Sequence, residues 1–285
     1  MWHRLFWCVG VAVAGVVVAA AGCSETQRPI VAAKAYQVES DKVQLIAKGT
    51  APTQSDPASR AVVDAAIKAH TNGKPEILQK LKAITFTKVG RGITRGAGMV
   101  DQTWVETLEW PGRVRLQMSF AGPDLQVVTA VFDRDGGWTH VQSPAVTARK
   151  PMTADVVKDI QIDASAEWLW LLFPLVEPDT VLGPAPDVTV GEKPATTVQV
   201  WKPGMTAATV SFDKESKLLV KVTYEGRETQ KPVTKELTFF SHKEIDGIKY
   251  GDASQLKTDG TLFFDGHLTR VETPPSIDPK LFKDP

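Results

Sequence analysis

Arg113-Val114-Arg115-Leu116-Gln117-Met118-Ser119-Phe120 decides the class of this chain. Val114, Leu116, Met118 and Phe120 alternate with Arg113, Arg115, Gln117 and Ser119. A period of two is the signature of a strand with one buried and one wet face. The pattern extends outward on both sides. Upstream, Trp104, Glu106, Leu108 and Trp110 share one side of a strand, and Pro111-Gly112 makes the turn between. Downstream, Leu125 to Phe132 is apolar on both faces, as expected of a strand covered twice over. Asp133-Arg134-Asp135-Gly136-Gly137 then reads as a hairpin turn, with Gly137 to Gln142 as the returning strand.

Further strands are expected near Thr180–Leu182, Thr196–Trp201, Ala207–Asp213, Leu218–Glu225, Lys235–His242, Ile248–Gln255 and Thr261–Glu272. Two segments break the alternation. Residues 58–72 place Val62, Val63, Ala66, Ile67 and His70 on one side of a helix, and Asn72-Gly73 supplies the stop. His70 reads as a half-buried core histidine. Pro75 suits the first turn of a short second helix carrying Ile77, Leu78 and Leu81. From Thr153 to Leu175 the chain is helical again, and Trp168, Leu169, Trp170, Leu171, Leu172 and Phe173 make its second half apolar all round, as in a buried helix. The fold class is mainly β, of the α+β kind: a large curved antiparallel sheet or incomplete β-barrel, with a few helices over the open side.

Composition limits the function. The chain has 285 residues, with 33 Lys and Arg against 33 Asp and Glu. A nucleic-acid binder would show a basic excess or patch, and there is none. Cys8 and Cys23 are the two cysteines, so the downstream body has no disulfide and no thiolate metal site.

The N-terminus carries the one strong targeting signal. His3 and Arg4 precede an apolar run from Leu5 to Ala21. Ala20-Ala21-Gly22-Cys23 follows, and polar Ser24-Glu25-Thr26-Gln27 comes after it. Small residues before a cut site mark a signal peptide. Directly before a cysteine they resemble the bacterial lipobox, although Ala20 stands where leucine is usual. The resemblance implies cleavage between Gly22 and Cys23, with Cys23 taking the lipid. Stable anchoring needs more than one acyl chain, and a lipidated cysteine carries at least two. The alternative is an uncleaved helix, since the run sits near the lower limit of about 17 residues for a span. The domains expected are therefore 1–22 signal, 23–57 lipidated cysteine and flexible tether, and 58–285 folded body. Lys42–Lys48 within the tether alternates weakly, as a short strand would.

Two later stretches carry a family resemblance. Val210-Ser211-Phe212-Asp213 leads through an acidic turn to Leu218-Leu219-Val220-Lys221-Val222, and Phe240-Ser241-His242-Lys243-Glu244-Ile245-Asp246-Gly247-Ile248-Lys249 is a strand, an Asp-Gly turn and a strand. With the lipobox, the central apolar helix and the closing Leu281-Phe282-Lys283-Asp284-Pro285, the chain resembles the LolA/LolB-like outer-membrane lipoprotein-sorting family over residues 58–285. The resemblance implies a half-barrel whose concave face holds acyl chains. Trp104, Leu116, Met118, Phe120, Trp168, Leu169, Leu172 and Phe173 are the candidate lining. It also implies an arginine inside the cavity, a role that Arg113 and Arg115, on the polar face of their strand, do not take. The soluble carrier of that family is not lipidated and its outer-membrane acceptor is, so Cys23 points to an acceptor-like or stationary binder.

No enzyme chemistry is legible. No two body histidines stand at zinc-ligand spacing, and there is no Gly-x-Ser-x-Gly elbow or phosphate loop. Gly90-Arg91-Gly92 and Gly96-Ala97-Gly98 fit strand ends and turns. Asp133 and Asp135 before Gly136 lack the downstream glutamate of a calcium loop. Asp265-Gly266-His267 reads as a hairpin turn. Glu106 and Glu109 fall on opposite faces of a strand and form no acid–base couple. The expectation is a non-catalytic protein without metal or cofactor, tethered in the bacterial envelope at a membrane facing the periplasm, the outer membrane by preference. It would bind an acyl chain or a lipidated protein. The alternative is an envelope interaction module with a filled core and no ligand cavity.

Overall fold

The computed structural model describes residues 51–94, 98–121, 126–133, 136–228 and 231–283. The signal segment, Cys23 and the strand expected at 42–48 lie outside them.

Helix α1 (Pro57–His70) starts where its chemistry requires. The Asp56 carboxylate accepts the Ser59 N–H at 2.7 Å and Pro57 takes the first turn, where its missing N–H costs nothing. These hydrogen bonds hold the Asp56 carboxyl below its ordinary pKa. Asn72 and Gly73, both at positive φ, end the segment. Ser55 and Asp56, in the expected tether, already bond to the body: Leu182 N–H donates to Ser55 Oγ, and Asp56 N–H to Leu182 O. The segment after Pro75 is a 3₁₀ helix, Pro75–Lys82.

Six strands follow: β1 (Ala83–Thr94), β2 (Gly98–Glu109), β3 (Arg113–Phe120), β4 (Gln126–Asp133), β5 (Gly136–Gln142) and β6 (Thr147–Pro151). Helix α2 spans Ala154–Trp170, capped by Thr153. Then come β7 (Val181–Pro184), β8 (Val188–Val190), β9 (Lys193–Trp201), β10 (Ala208–Asp213), β11 (Leu219–Glu228) and β12 (Lys231–Phe239). The last four are β13 (His242–Ile245), β14 (Ile248–Gly251), β15 (Ser254–Thr258) and β16 (Thr261–Glu272). Among the described residues, fourteen strands form one antiparallel sheet in the order β6-β5-β4-β3-β2-β1-β16-β15-β12-β11-β10-β9-β7, with β8 on β9. The last strand pairs with the first, so the sheet wraps round, yet its ends β6 and β7 do not meet. The chain crosses between these two free ends through α2, which packs on β11 and β5. This is the open sheet with helices over the opening that was expected.

Curvature has local causes. The register shifts at Thr87/Lys88 against β16, at Leu256/Lys257 in β15 and at Ser211/Phe212 in β10. Such bulges bend a strand and increase its twist. Gly90 stands opposite Gly266, and a Cβ on Gly90 would lie 2.1 Å from Asp265 O. This overturns the turn expected at Asp265-Gly266-His267: Gly266 is mid-strand, and glycine there permits close backbone approach. The neighbouring hairpin turns instead at Asp259-Gly260, both at positive φ. The long strands expected at Lys235–His242 and Ile248–Gln255 each split in two, because β13 and β14 leave the main sheet as a separate hairpin around Asp246-Gly247.

The Trp-rich segment is not one helix. Leu172 has φ 62°, and Phe173–Val176 is a 3₁₀ turn. Pro174 has no N–H to give to the Trp170 carbonyl and its ring would clash with it, so the α-helix cannot run through this point. The reversal drives Phe173 and Leu175, both fully buried, into the main core with Trp168, Leu169 and Phe86. Trp110 meets Trp168 and Phe173 edge-on at 5.2 and 5.4 Å.

His70 ties α1 to two strands. Its Nε2 accepts the Leu219 N–H at 2.9 Å, so Nδ1 carries the proton and donates to Lys249 O at 2.6 Å. Burial dominates and lowers its pKa to about 4. The unfolded chain therefore takes up this proton first as pH falls below 6.5. Its contribution is present in full above that pH and is lost towards pH 4, by about 3 kcal/mol. Urea unfolding from pH 4.5 to 7 should give a steeper slope than in the His70→Gln variant, whose remaining slope includes that of His242, also lowered by burial; equal slopes would refute the assignment.

Candidate functional site

The concave side holds a hollow of about 520 Å³. Cross-strand register explains where it lies. Leu108 pairs with Val114, Glu106 with Leu116, Trp104 with Met118 and Gln102 with Phe120. Leu108 is in the main core, whereas Glu106, Trp104 and Gln102 line the hollow. Helix α2 repeats this division. Ile160, Asp163, Ala164 and Glu167, one stripe at helical spacing, face the hollow, while Trp168, Leu169 and Trp170 are core. Glu106 and Glu167 thus mark the boundary between packed core and open space.

The apolar wall comes from Trp104, Val114, Leu116, Met118, Phe120, Ala130, Phe132, Phe263 and neighbours. Trp104 is fixed by stacking on Phe264 at 4.2 Å and by donating Nε1–H to Gln102 Oε1 at 2.7 Å. Leu116, Met118 and Phe120 stay only half-buried, since nothing fills the space before them. Of the residues singled out from sequence, Trp104, Leu116, Met118 and Phe120 are on this wall. Trp168, Leu169, Leu172 and Phe173 are not; they fill the core at its end. Arg113 and Arg115 point to the other face. Arg113 pairs with Glu109 and lies over the Phe282 ring, where the closing segment docks. That face is covered by Ile277 and Phe282 against Val131 and Trp138. Val131 on this side and Ala130 and Phe132 on the hollow side account for the doubly apolar strand β4. Leu125, Arg134 and Asp135 lie outside the described residues.

Sequence reasoning missed the ionisable groups. Lys88 Nζ lies 3.4 Å from Glu106 Oε1, with 8% and 3% of their side chains exposed, and over the rings of Phe86 and Trp170. Glu167 hydrogen-bonds to Glu106, and its carboxyl is pushed well above its ordinary pKa by burial, then by the Glu106 charge and that bond. A neutral acid beside a carboxylate can share its proton, which two anions in that space could not do. Further along, Lys235 Nζ donates to both Asp163 oxygens at 2.7 and 2.6 Å, and Tyr224 O–H donates to Asp163 Oδ1 at 3.2 Å. Burial raises the Asp163 carboxyl, and burial followed by the Asp163 charge raises the Tyr224 phenol. Among the described residues, no group of three or more His, Cys, Asp or Glu is placed to hold a metal ion, and no helix is long and apolar enough to cross a membrane.

This arrangement has likenesses among solved structures. A DUF1329 family protein from Desulfovibrio piger ATCC 29098 is 13% identical at a TM-score of 0.50, over 80% of this chain and 98% of that one. The likeness is one of fold. A LolA superfamily protein from Nitrosomonas europaea is also similar, 7% identical with a TM-score of 0.47 over 79% and 97% of the two chains. An outer-membrane lipoprotein-sorting protein domain from Vibrio parahaemolyticus is 9% identical with a TM-score of 0.44 over 79% and 96%. No protein-family model and no curated protein matches the chain.

Proposed function

We propose that this chain is an envelope-anchored, non-catalytic lipoprotein that holds the acyl chain of a lipid or of a lipidated protein in its concave hollow. The observation that carries the reading is the unfilled apolar wall of Trp104, Leu116, Met118 and Phe120 around about 520 Å³. That volume is in the range of small-molecule sites, about 300–1,000 Å³. Each methylene taken from water contributes about 0.8 kcal/mol, so a tail needs no polar contact along its length. An interaction module with a filled core would have no use for such a space. The Ala20-Ala21-Gly22-Cys23 stretch supports lipidation at Cys23 and tethering at a membrane facing the periplasm, by preference the outer one.

The Cys23→Ala chain should leave the membrane fraction; persistent sedimentation with membranes argues against the anchor. Native mass spectrometry of that released chain should show bound lipid. Met118→Trp, which puts an indole into the hollow, should remove the lipid at a nearly unchanged melting temperature. Lipid retained by Met118→Trp, or none on the parent, would overturn the carrier reading.

A further inference from the structure

The hollow is chemically lopsided. Besides the apolar wall of β3 and β4 it carries five carboxyl groups, Glu106, Asp163, Glu167, Glu228 and Asp259. Among the described lining residues it has one cation, Lys235. That ammonium is bound by both oxygens of Asp163. Lys88 is bound to Glu106 and lies against Phe86 and Trp170, off the lining. Each lysine is bound to one carboxylate, and Glu167, pushed well above its ordinary pKa, bonds to Glu106, which leaves Glu228 and Asp259. Asp259 accepts the Thr234 N–H at 2.8 Å near the rim. Glu228 is half-buried, with the Thr258 hydroxyl hydrogen-bonded to its carboxyl on the same lining. Asp163 meanwhile keeps 34% of its side-chain surface accessible on the lining. Five carboxyl groups against one ammonium leave the described lining with a surplus of acceptors.

We propose that the hollow selects amphiphiles by their heads, seating a cationic or uncharged hydrogen-bond donor such as an alkyl ammonium or alkyl alcohol beside Asp163, Glu167 and Glu228, and rejecting anionic heads. This rests on the acyl-chain reading of the same hollow. A carboxylate or phosphate head would enter a site of like charge whose two nearby ammonium groups are already engaged. An ammonium or hydroxyl would answer the surplus acceptors.

The test is calorimetric titration of the Cys23→Ala chain at pH 7 with dodecylamine, 1-dodecanol and dodecanoate, each below its solubility or micellar limit. Dodecylamine should bind at least about tenfold more tightly than dodecanoate, with dodecanol between. In a Glu228→Gln/Asp259→Asn double variant, checked for an unchanged melting curve, the ratio should shrink towards one while dodecanol binding holds. In Met118→Trp, dodecylamine binding should vanish; if it persists, the amine sits on the outer surface and the proposal fails. Equal binding of all three, or tightest binding of dodecanoate, overturns head selection and leaves the acyl-chain reading standing. Binding of none overturns both.

Discussion

Replacing Phe173 with alanine lowers the unfolding free energy by about 3–5 kcal/mol, the range for emptying a fully buried aromatic site. Phe173 has no exposed surface and sits edge-on to Trp110, with the Lys82 ammonium 5.5 Å from its ring centre. Its neighbours cannot collapse freely, because Leu172 is locked at positive φ and Pro174 follows. Urea unfolding should show a shifted midpoint at nearly constant slope. The variant's folded fraction should keep its hollow, since Phe173 is no part of that wall. A loss under about 1 kcal/mol would mean the segment packs more loosely than these contacts imply. Phe173→Ala and Met118→Trp thus separate core from cavity: one costs stability and spares the hollow, the other fills the hollow and spares stability.

Replacing Lys88 with methionine costs about 3–4 kcal/mol at pH 7. The substitution leaves the Glu106 carboxylate buried beside Glu167 without its cation. Losing one partner of a buried ion pair typically costs about 3–5 kcal/mol. Here a ceiling applies, because Glu106 can instead take up a proton. The free energy of protonating an ordinary glutamate is about 3–4 kcal/mol at pH 7 and about 1 kcal/mol at pH 5. The penalty should therefore shrink as the solution is acidified. Lys88→Met combined with Glu106→Leu should recover most of the loss at pH 7. A penalty independent of pH would locate the effect in the lost packing on Phe86 and Trp170, and the charge argument would fall.

The two variants bear on different levels of legibility. The pattern from Arg113 to Phe120 determined a strand, its inner and outer faces and so the membership of Leu116, Met118 and Phe120 in the concave wall, because side-chain direction alternates with every residue. Asp56-Pro57 and Asn72-Gly73 set the limits of α1 through capping and positive φ, which are local physics. The apolar character of Trp168 to Phe173 showed burial but could not say against what. A residue that lines a cavity and one that fills a core look alike in sequence, since both avoid water.

What the tertiary structure alone decided is the pairing of distant polar groups. Sequence proximity sets Glu106 against Glu109, and the two lie on opposite faces of β2. Its true partners, Lys88 and Glu167, come from the adjacent strand and from a helix some sixty residues on. Lys235 and Asp163 are likewise brought together only when α2 crosses the gap between β6 and β7. Local chemistry specifies turns, caps and faces because those depend on a few adjacent residues. The charged edge of the hollow depends on where a closing helix lands on a curved sheet, and that is settled by the packing of the whole core.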